Sequence, residues 1–250
     1  MFKKLLYYTF VAGMVVSMSS CSILQGKKDD KSASKPPKKE SKNGVKPYAK
    51  IITSKAKSDK GLFTVHQVDQ DYFFEIPDSL FNREMLMVTR IAQTAQGIGF
   101  GGGKQNEQVL RWQKKGDNVY LRVVSYDIAA ADSLPINEAV VNSNFEPILY
   151  SFKVKAYKKD SVNNNTVINV NDLFEKDVKA IGLQSSRRSP YKISRLDASR
   201  SYIDTIRSYP ENIEIRHVKT YNAGNPPSNS STGSVSLKFS NSMVLYLKSQ

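Results

Sequence analysis

The segment QVLRWQKKGDNVYLRVVSYD, residues 108–127, constrains the fold more than any other. Two β-rich runs flank KGDN, and Gly116 supplies the positive φ that a tight hairpin turn needs. The same grammar recurs along the chain. GLFTVHQVDQDYFFEIP, residues 61–77, is two such runs around DQD. MLMVTRIA, PILYSFKVKAY and TVINV follow as strands, then NIEIRHVKTY and SVSLKFSNSMVLYL around a polar loop. Thirteen tyrosines and 11 phenylalanines agree with strand-rich structure. Helical signals are few. DSLFNRE opens with one turn capped by Asp78, and SLPINEAVVNS carries Pro135 early. NDLFEKD gives a turn or two, and DASRSYIDTIRSY, residues 197–209, reads as a helix stopped by Pro210. The expected fold class is mainly β (α+β): an antiparallel, strand-rich domain with a few short helices.

The first residues stand outside that pattern. MFKK is a short basic region, and LLYYTFVAGMVVSM is an apolar run too short for a comfortable membrane-spanning helix. Met18-Ser19-Ser20-Cys21 resembles a bacterial lipobox, with Met18 where an aliphatic residue is usual. This implies a lipoprotein signal at residues 1–20, cleavage before Cys21 and acylation of Cys21. Residues 21–47 are rich in Lys, Ser and Pro, too polar to bury a core, and are expected to be a flexible tether. Between residues 22 and 46, eight lysines oppose three acids, so much of the net charge of +14 belongs to the tether. Those lysines suit anionic lipid headgroups. Lys28-Asp29-Asp30 is also similar to short signals that route some Gram-negative lipoproteins to the cell surface.

The glycines of QGIGFGGGKQ, residues 96–105, match the spacing G-x-G-x-x-G at Gly97, Gly99 and Gly102. A dinucleotide loop must follow a strand and open a helix whose amides hold the phosphates. Here QVLRWQKK, a strand, comes next. The Walker pattern fails as well: Ile98 stands where its first glycine belongs, and Gln105 follows Lys104. The segment is expected to be a glycine connection between adjacent strands, with Phe100 packing onto the sheet or onto a neighbouring domain.

Local signatures of catalysis are missing. His66 and His217, the two histidines, lie far apart in strands without a ligand-spaced neighbour. No G-x-S-x-G elbow occurs, and Cys21 is the single cysteine. The basic segment SSRRSPYKISRLDASR nominates Arg187, Arg188, Lys192 and Arg195 as contacts for an anion or a partner; the alternative, a solvated loop leading into a helix, is what such charge clusters usually are. Few aromatic residues are interleaved, which makes nucleic acid a poor partner.

Four stretches read in order carry a family resemblance: GLFTVHQVDQDYFFEIPDSLFNREMLMVTRIA, NEQVLRWQKKGDNVYLR, SRRSPYKISRLDASRSYIDTIRSYPENIEI and SVSLKFSNSMVLYL. Together they resemble the N-terminal half of a family of large Gram-negative envelope proteins of the zinc-dependent metallopeptidase type, over residues 47–250. The resemblance implies two domains of uncharacterised function followed by a metzincin-like domain. In that domain an H-E-x-x-H helix binds zinc, and the glutamate activates water. This chain has no H-E-x-x-H, so no catalytic, cofactor-binding or metal residue is carried over to it. Zinc is expected in the full-length family and not in this chain.

The resulting expectation is a lipid-anchored accessory region in the Gram-negative envelope, at the outer membrane. A small β segment, residues 48–94, leads into a larger β-rich domain, residues 95–250, expected to be truncated at its C-terminus. Its partners would be the membrane, the downstream metallopeptidase domain and, for the full-length protein, a peptide or protein substrate. The strand face around Trp112 and the glycine loop would contact the catalytic domain. A final strand without a partner inside the chain would leave an association-prone edge. The rival expectation is a stand-alone envelope module that binds peptide or glycan.

Overall fold

The computed structural model describes residues 44–126, 130, 133–159, 164–227 and 230–246. The signal segment, Cys21 and the tether up to residue 43 lie outside the described residues. Tyr48–Ile51 forms α1, and the strands begin with β1 (Lys57–Lys60), β2 (Thr64–Val68), β3 (Asp71–Pro77) and β4 (Glu84–Gln93). The long hairpin β5 (Lys104–Lys115) and β6 (Asn118–Val124) follows, with Gly116 at φ 59° in its turn. Then come α2 (Ile136–Ser143), β7 (Ile148–Lys159), β8 (Asn164–Asn169), α3 (Asn171–Glu175) and α4 (Ser185–Arg188). The chain closes with β9 (Ile193–Ser208), β10 (Asn212–Ala223) and β11 (Ser234–Leu245).

These strands form one antiparallel sheet of 11 strands in the order β1-β2-β3-β8-β7-β6-β5-β4-β11-β10-β9. It curls into a nearly closed, barrel-like shape. The two edge strands approach each other at a seam. There the Leu62 N–H donates to the Tyr209 carbonyl at 2.7 Å, and the Ser208 N–H donates to Asp59 Oδ2 at 3.0 Å. Gly61 makes this approach possible, because a Cβ there would stand 2.5 Å from the Tyr209 oxygen. Curling the sheet so far leaves little of either edge open to another chain.

The interior is filled by side chains. Trp112 lies between Phe63, Phe74 and Phe152, with ring centroids 5.5–6.3 Å away. All four are buried. Each such ring removed from water stabilises the fold by roughly 2–3 kcal/mol. The residues between β8 and β9, 170–192, cross the barrel. Their start is tied to β3: the Tyr72 N–H donates to Asn171 Oδ1 at 2.7 Å, and the Val170 N–H donates to the Tyr72 carbonyl at 3.0 Å. Leu173 and Phe174 of α3 enter the core, and Asn106 of β5 holds the Ala180 carbonyl at 2.9 Å.

Two expectations change here, on residues 197–209 and on Trp112, and one open point closes, on β11. The segment expected as a helix, residues 197–209, is strand up to Ser208: it forms most of β9, and Ser201, Ile203, Ile206 and Ser208 face inward. Long-range pairing with β10 outweighs the local helical spacing. β11 is no unpaired end, because β10 and β4 bond to its two sides. Trp112 is fully buried and offers no face to a partner. The strands of residues 48–94 and 95–250 share one sheet, with β4 between β5 and β11.

Candidate functional site at the glycine-loop end

The glycine loop joins the adjacent strands β4 and β5, as their pairing requires. Gly97, Gly99 and Gly102 have φ of 89°, 96° and 91°, a region L side chains rarely adopt. The Gly102 N–H donates to the Ile91 carbonyl at 2.6 Å, and a strand follows instead of a helix. The geometry of a phosphate cradle is therefore missing at this loop. Ile98 turns inward to a second core cluster with Ile91, Leu183, Tyr221 and Phe239. Phe100 does the opposite. It is 93% exposed, which overturns the expectation that it packs onto the sheet.

Two further loops meet this one. The Tyr191 hydroxyl donates to the Gly97 carbonyl at 3.4 Å, and a Cβ on Gly97 would come within 3.0 Å of Pro227. The Gly224 N–H donates to the Lys192 carbonyl at 3.2 Å. The basic segment thus stands beside the glycine loop, an adjacency that no local pattern encodes. The nominated cations divide. Arg188 is consumed internally: it forks onto Asp177 at 2.6 and 2.8 Å, donates to the Leu183 carbonyl and lies over the Tyr221 ring. The bond from Arg188 holds the Asp177 carboxyl below its usual range despite its burial. Arg187, Lys192 and Arg195 remain at the surface, and Arg187 lies against Gly103. Arg90 and Lys104, which sequence reasoning passed over, complete the basic collar; Arg90 donates to the Gly102 carbonyl, and Lys104 pairs with Glu107. An apolar tip ringed by cations suits an anionic surface. It contains no nucleophile with a base.

The histidines occupy opposite faces of the sheet. His66 is on the outer face, beneath α1. Glu75 accepts from His66 at 3.0 Å, Tyr48 at 2.6 Å, Lys158 at 3.0 Å and Asn165 at 2.6 Å. Burial pushes the Glu75 carboxyl up, but these donors outweigh it and bring it to about 2. With Glu75 ionised, His66 donates to it through Nε2, and the Ser58 hydroxyl bonds Nδ1 at 2.7 Å. Ser58 borders the seam cleft between β1 and β9, whereas His66 and Glu75 are buried behind it. Alternation turns Ser58 outward with His66, while Lys57 and Asp59 point into the seam. Its work is to fasten α1 to the sheet.

His217 and Lys219 point inward from β10. Asn241 donates to Thr89 at 2.6 Å, so its oxygen accepts from His217 Nε2, also at 2.6 Å. The Nδ1 lone pair is buried without a protein partner. Burial pushes the imidazole down to about 3. The Lys219 ammonium, bonded to the Lys176 carbonyl, is pushed down by burial to about 7. Among the described residues, no three of His, Cys, Asp and Glu cluster in a way that could hold a metal ion.

The connection between β6 and β7 contains the short helix expected from SLPINEAVVNS, as α2, but sequence reasoning did not mark it as a site. It lies over the outer wall: Tyr126 bonds to Glu84, Arg111 to Glu146, and Arg122 sits under the Phe145 ring. No residue of α2 is buried, and Leu134, Ile136, Val141 and Phe145 are more than half exposed. A predicted helix with no inward face was the available signal.

Fold and site together define a filled, nearly closed antiparallel barrel with an apolar excursion on its wall and a basic, aromatic loop end. The chain belongs to the family described as Domain of unknown function (DUF5117), which matches residues 102–247. A second description, Domain of unknown function (DUF5118), matches residues 45–94. No curated protein and no solved structure matches the chain.

Proposed function

We propose that this chain is the non-catalytic accessory region of a lipid-anchored envelope protein of the zinc metallopeptidase type. Cys21 carries the anchor at the outer membrane, residues 21–47 form the tether, and the barrel packs against a downstream catalytic domain that holds the zinc. The sequence resemblance over residues 47–250 supplies the family reading. The observation that carries the accessory role is α2 with its flanking residues: Leu134, Ile136, Val141 and Phe145 stand exposed on the barrel wall. Apolar side chains grouped in this way mark contact surfaces. The docking face is thus α2 and not the strand face around Trp112, which is spent on the core.

The test is the intact mass of the native species in its own envelope, detected with an antibody against the barrel. A species several times larger than this chain is expected, with peptidase activity lost on chelation and restored by zinc. A lipidated species of the mass of this chain would overturn the reading. One observation favours a second reading, a stand-alone module for peptide or glycan. A seam cleft of about 300 Å³ between β1 and β9 is lined by Lys57, Asp59, Gln67, Tyr72, Asp204 and Arg207. Polar side chains of both signs in such a cleft suit the side chains of a bound peptide.

A further inference from the structure

We propose that the glycine-loop end is a peripheral membrane contact, in which Phe100 enters the headgroup boundary of an anionic bilayer and the basic collar binds its phosphates. This contact is made by the folded barrel itself and stands apart from both the lipid anchor and the docking of a catalytic domain. Three observations carry it. Phe100 is the most exposed large apolar residue described, at 93%, and it stands at the tip of a loop. Glycines flank it on both sides, and beside it Ile98 is pulled into the core. The loop is therefore fixed at its base while its apolar tip points away from the barrel. Beside it stand Arg90 on the Gly102 carbonyl, Lys104 paired with Glu107, Arg187 against Gly103 and Lys192 against Gly224, with Arg195 exposed three residues further along the basic segment. Arg188, the one cation of the segment held inside, contributes by latching that loop to Asp177.

The charge decides the occupant. An apolar protein surface would match the neutral α2 patch, whereas a tip ringed by cations matches anionic lipid. Attraction worth about one Lys or Arg near such a surface changes partitioning roughly fivefold. Losing three collar cations should thus lower binding on the order of 100-fold. Losing the Phe100 ring should lower it about tenfold.

The probe is the full chain carrying Cys21→Ser, so that no acyl group contributes, mixed with vesicles of phosphatidylglycerol and phosphatidylcholine. Phe100→Trp places a reporter at the tip, while Trp112 is sealed in the core and insensitive to lipid. The expected result is a blue shift quenched by brominated lipid, with anionic vesicles and not with phosphatidylcholine alone. The triple variant Arg187→Glu, Lys192→Glu, Arg195→Glu should lose binding at an unchanged melting temperature. Should that variant misfold, Phe100→Ser serves, since it alters an exposed side chain alone. The tether lysines are common to every variant. Vesicle binding without a blue shift, and equal in the triple variant, would assign it to the tether and overturn the proposal. An equal shift on neutral vesicles would overturn the role of the collar. A shift seen only when a protein partner is added would make this end a protein interface instead.

Discussion

His66 and His217 are the same residue in two buried settings, and the surroundings of each teach a different lesson. Around His66, charge is compensated: Glu75 gathers donors from α1, β2, β7 and β8, each reaching in from the sheet's outer face. Around His217, charge is excluded: Phe174 and Phe239 pack on the ring, and neighbouring Lys219 finds only a carbonyl. The outer cluster stays ionised because flexible side chains converge on it. The inner one resists charging because burial outweighs the pull of Asp177 and Glu175 on Lys219.

The largest expected effect comes from breaking the compensated cluster. Glu75→Gln should destabilise the fold by on the order of 3 kcal/mol, because it strands the groups that converge on the carboxylate. Denaturant midpoints would measure this. The folded carboxyl, near 2, titrates below the ordinary value of 4.5. Its contribution is therefore complete above about pH 4.5 and disappears as the pH falls towards 2. The variant should lack that acid limb, and an identical limb would show that Glu75 is not the group responsible.

Lys219→Met sharpens the contrast with the opposite sign. It should stabilise the protein at pH 7 by about 1–3 kcal/mol, since an amine that resists charging is replaced by a side chain suited to the core. In the parent protein the ammonium is pushed from 10.5 to about 7 on folding. The unfolded chain then binds the proton more readily, and stability declines as the pH falls from about 10.5 to about 7. Melting temperatures of the variant should be flat over that window.

Asp177→Asn probes the latch that closes the crossing segment above this interior. A loss of about 1 kcal/mol is expected, with faster proteolysis within residues 176–192. Smallest of all, Phe145→Ser should change stability by less than about 0.5 kcal/mol, because its ring is exposed. On the proposed accessory role, its effect should appear instead as weaker association with the proposed catalytic domain, read by the rate of inter-domain proteolysis in a protein that carries both. A large loss of stability would make Phe145 part of the wall and not of a docking face.

Much of the fold was legible. The hairpins at residues 61–77 and 108–124 carry their turns in the sequence, at Asp69 and Gly116, both of which adopt positive φ. The short helix at residues 171–175 was readable from local composition. β9 was not. Its spacing of Tyr202, Ile203 and Ile206 satisfies a helix as well as a strand, and only pairing with β10 separates the two. The site was half legible. Gly97, Phe100 and the arginine segment could each be marked, but their adjacency depends on β4 and β9 converging at one end of the barrel. Arg188 looked like its neighbours until Asp177 claimed it.

The sequence by itself determined that this chain is strand-rich and antiparallel, because turn chemistry and β-propensity are local properties. It likewise excluded a nucleotide loop, because that loop needs a helix directly after it. Tertiary structure alone decided that the sheet closes on itself at Gly61, that β11 lies inside it, and that one histidine meets a carboxylate while the other meets none. Those outcomes rest on contacts between residues far apart in the chain, and no local pattern encodes which distant partner a side chain will reach.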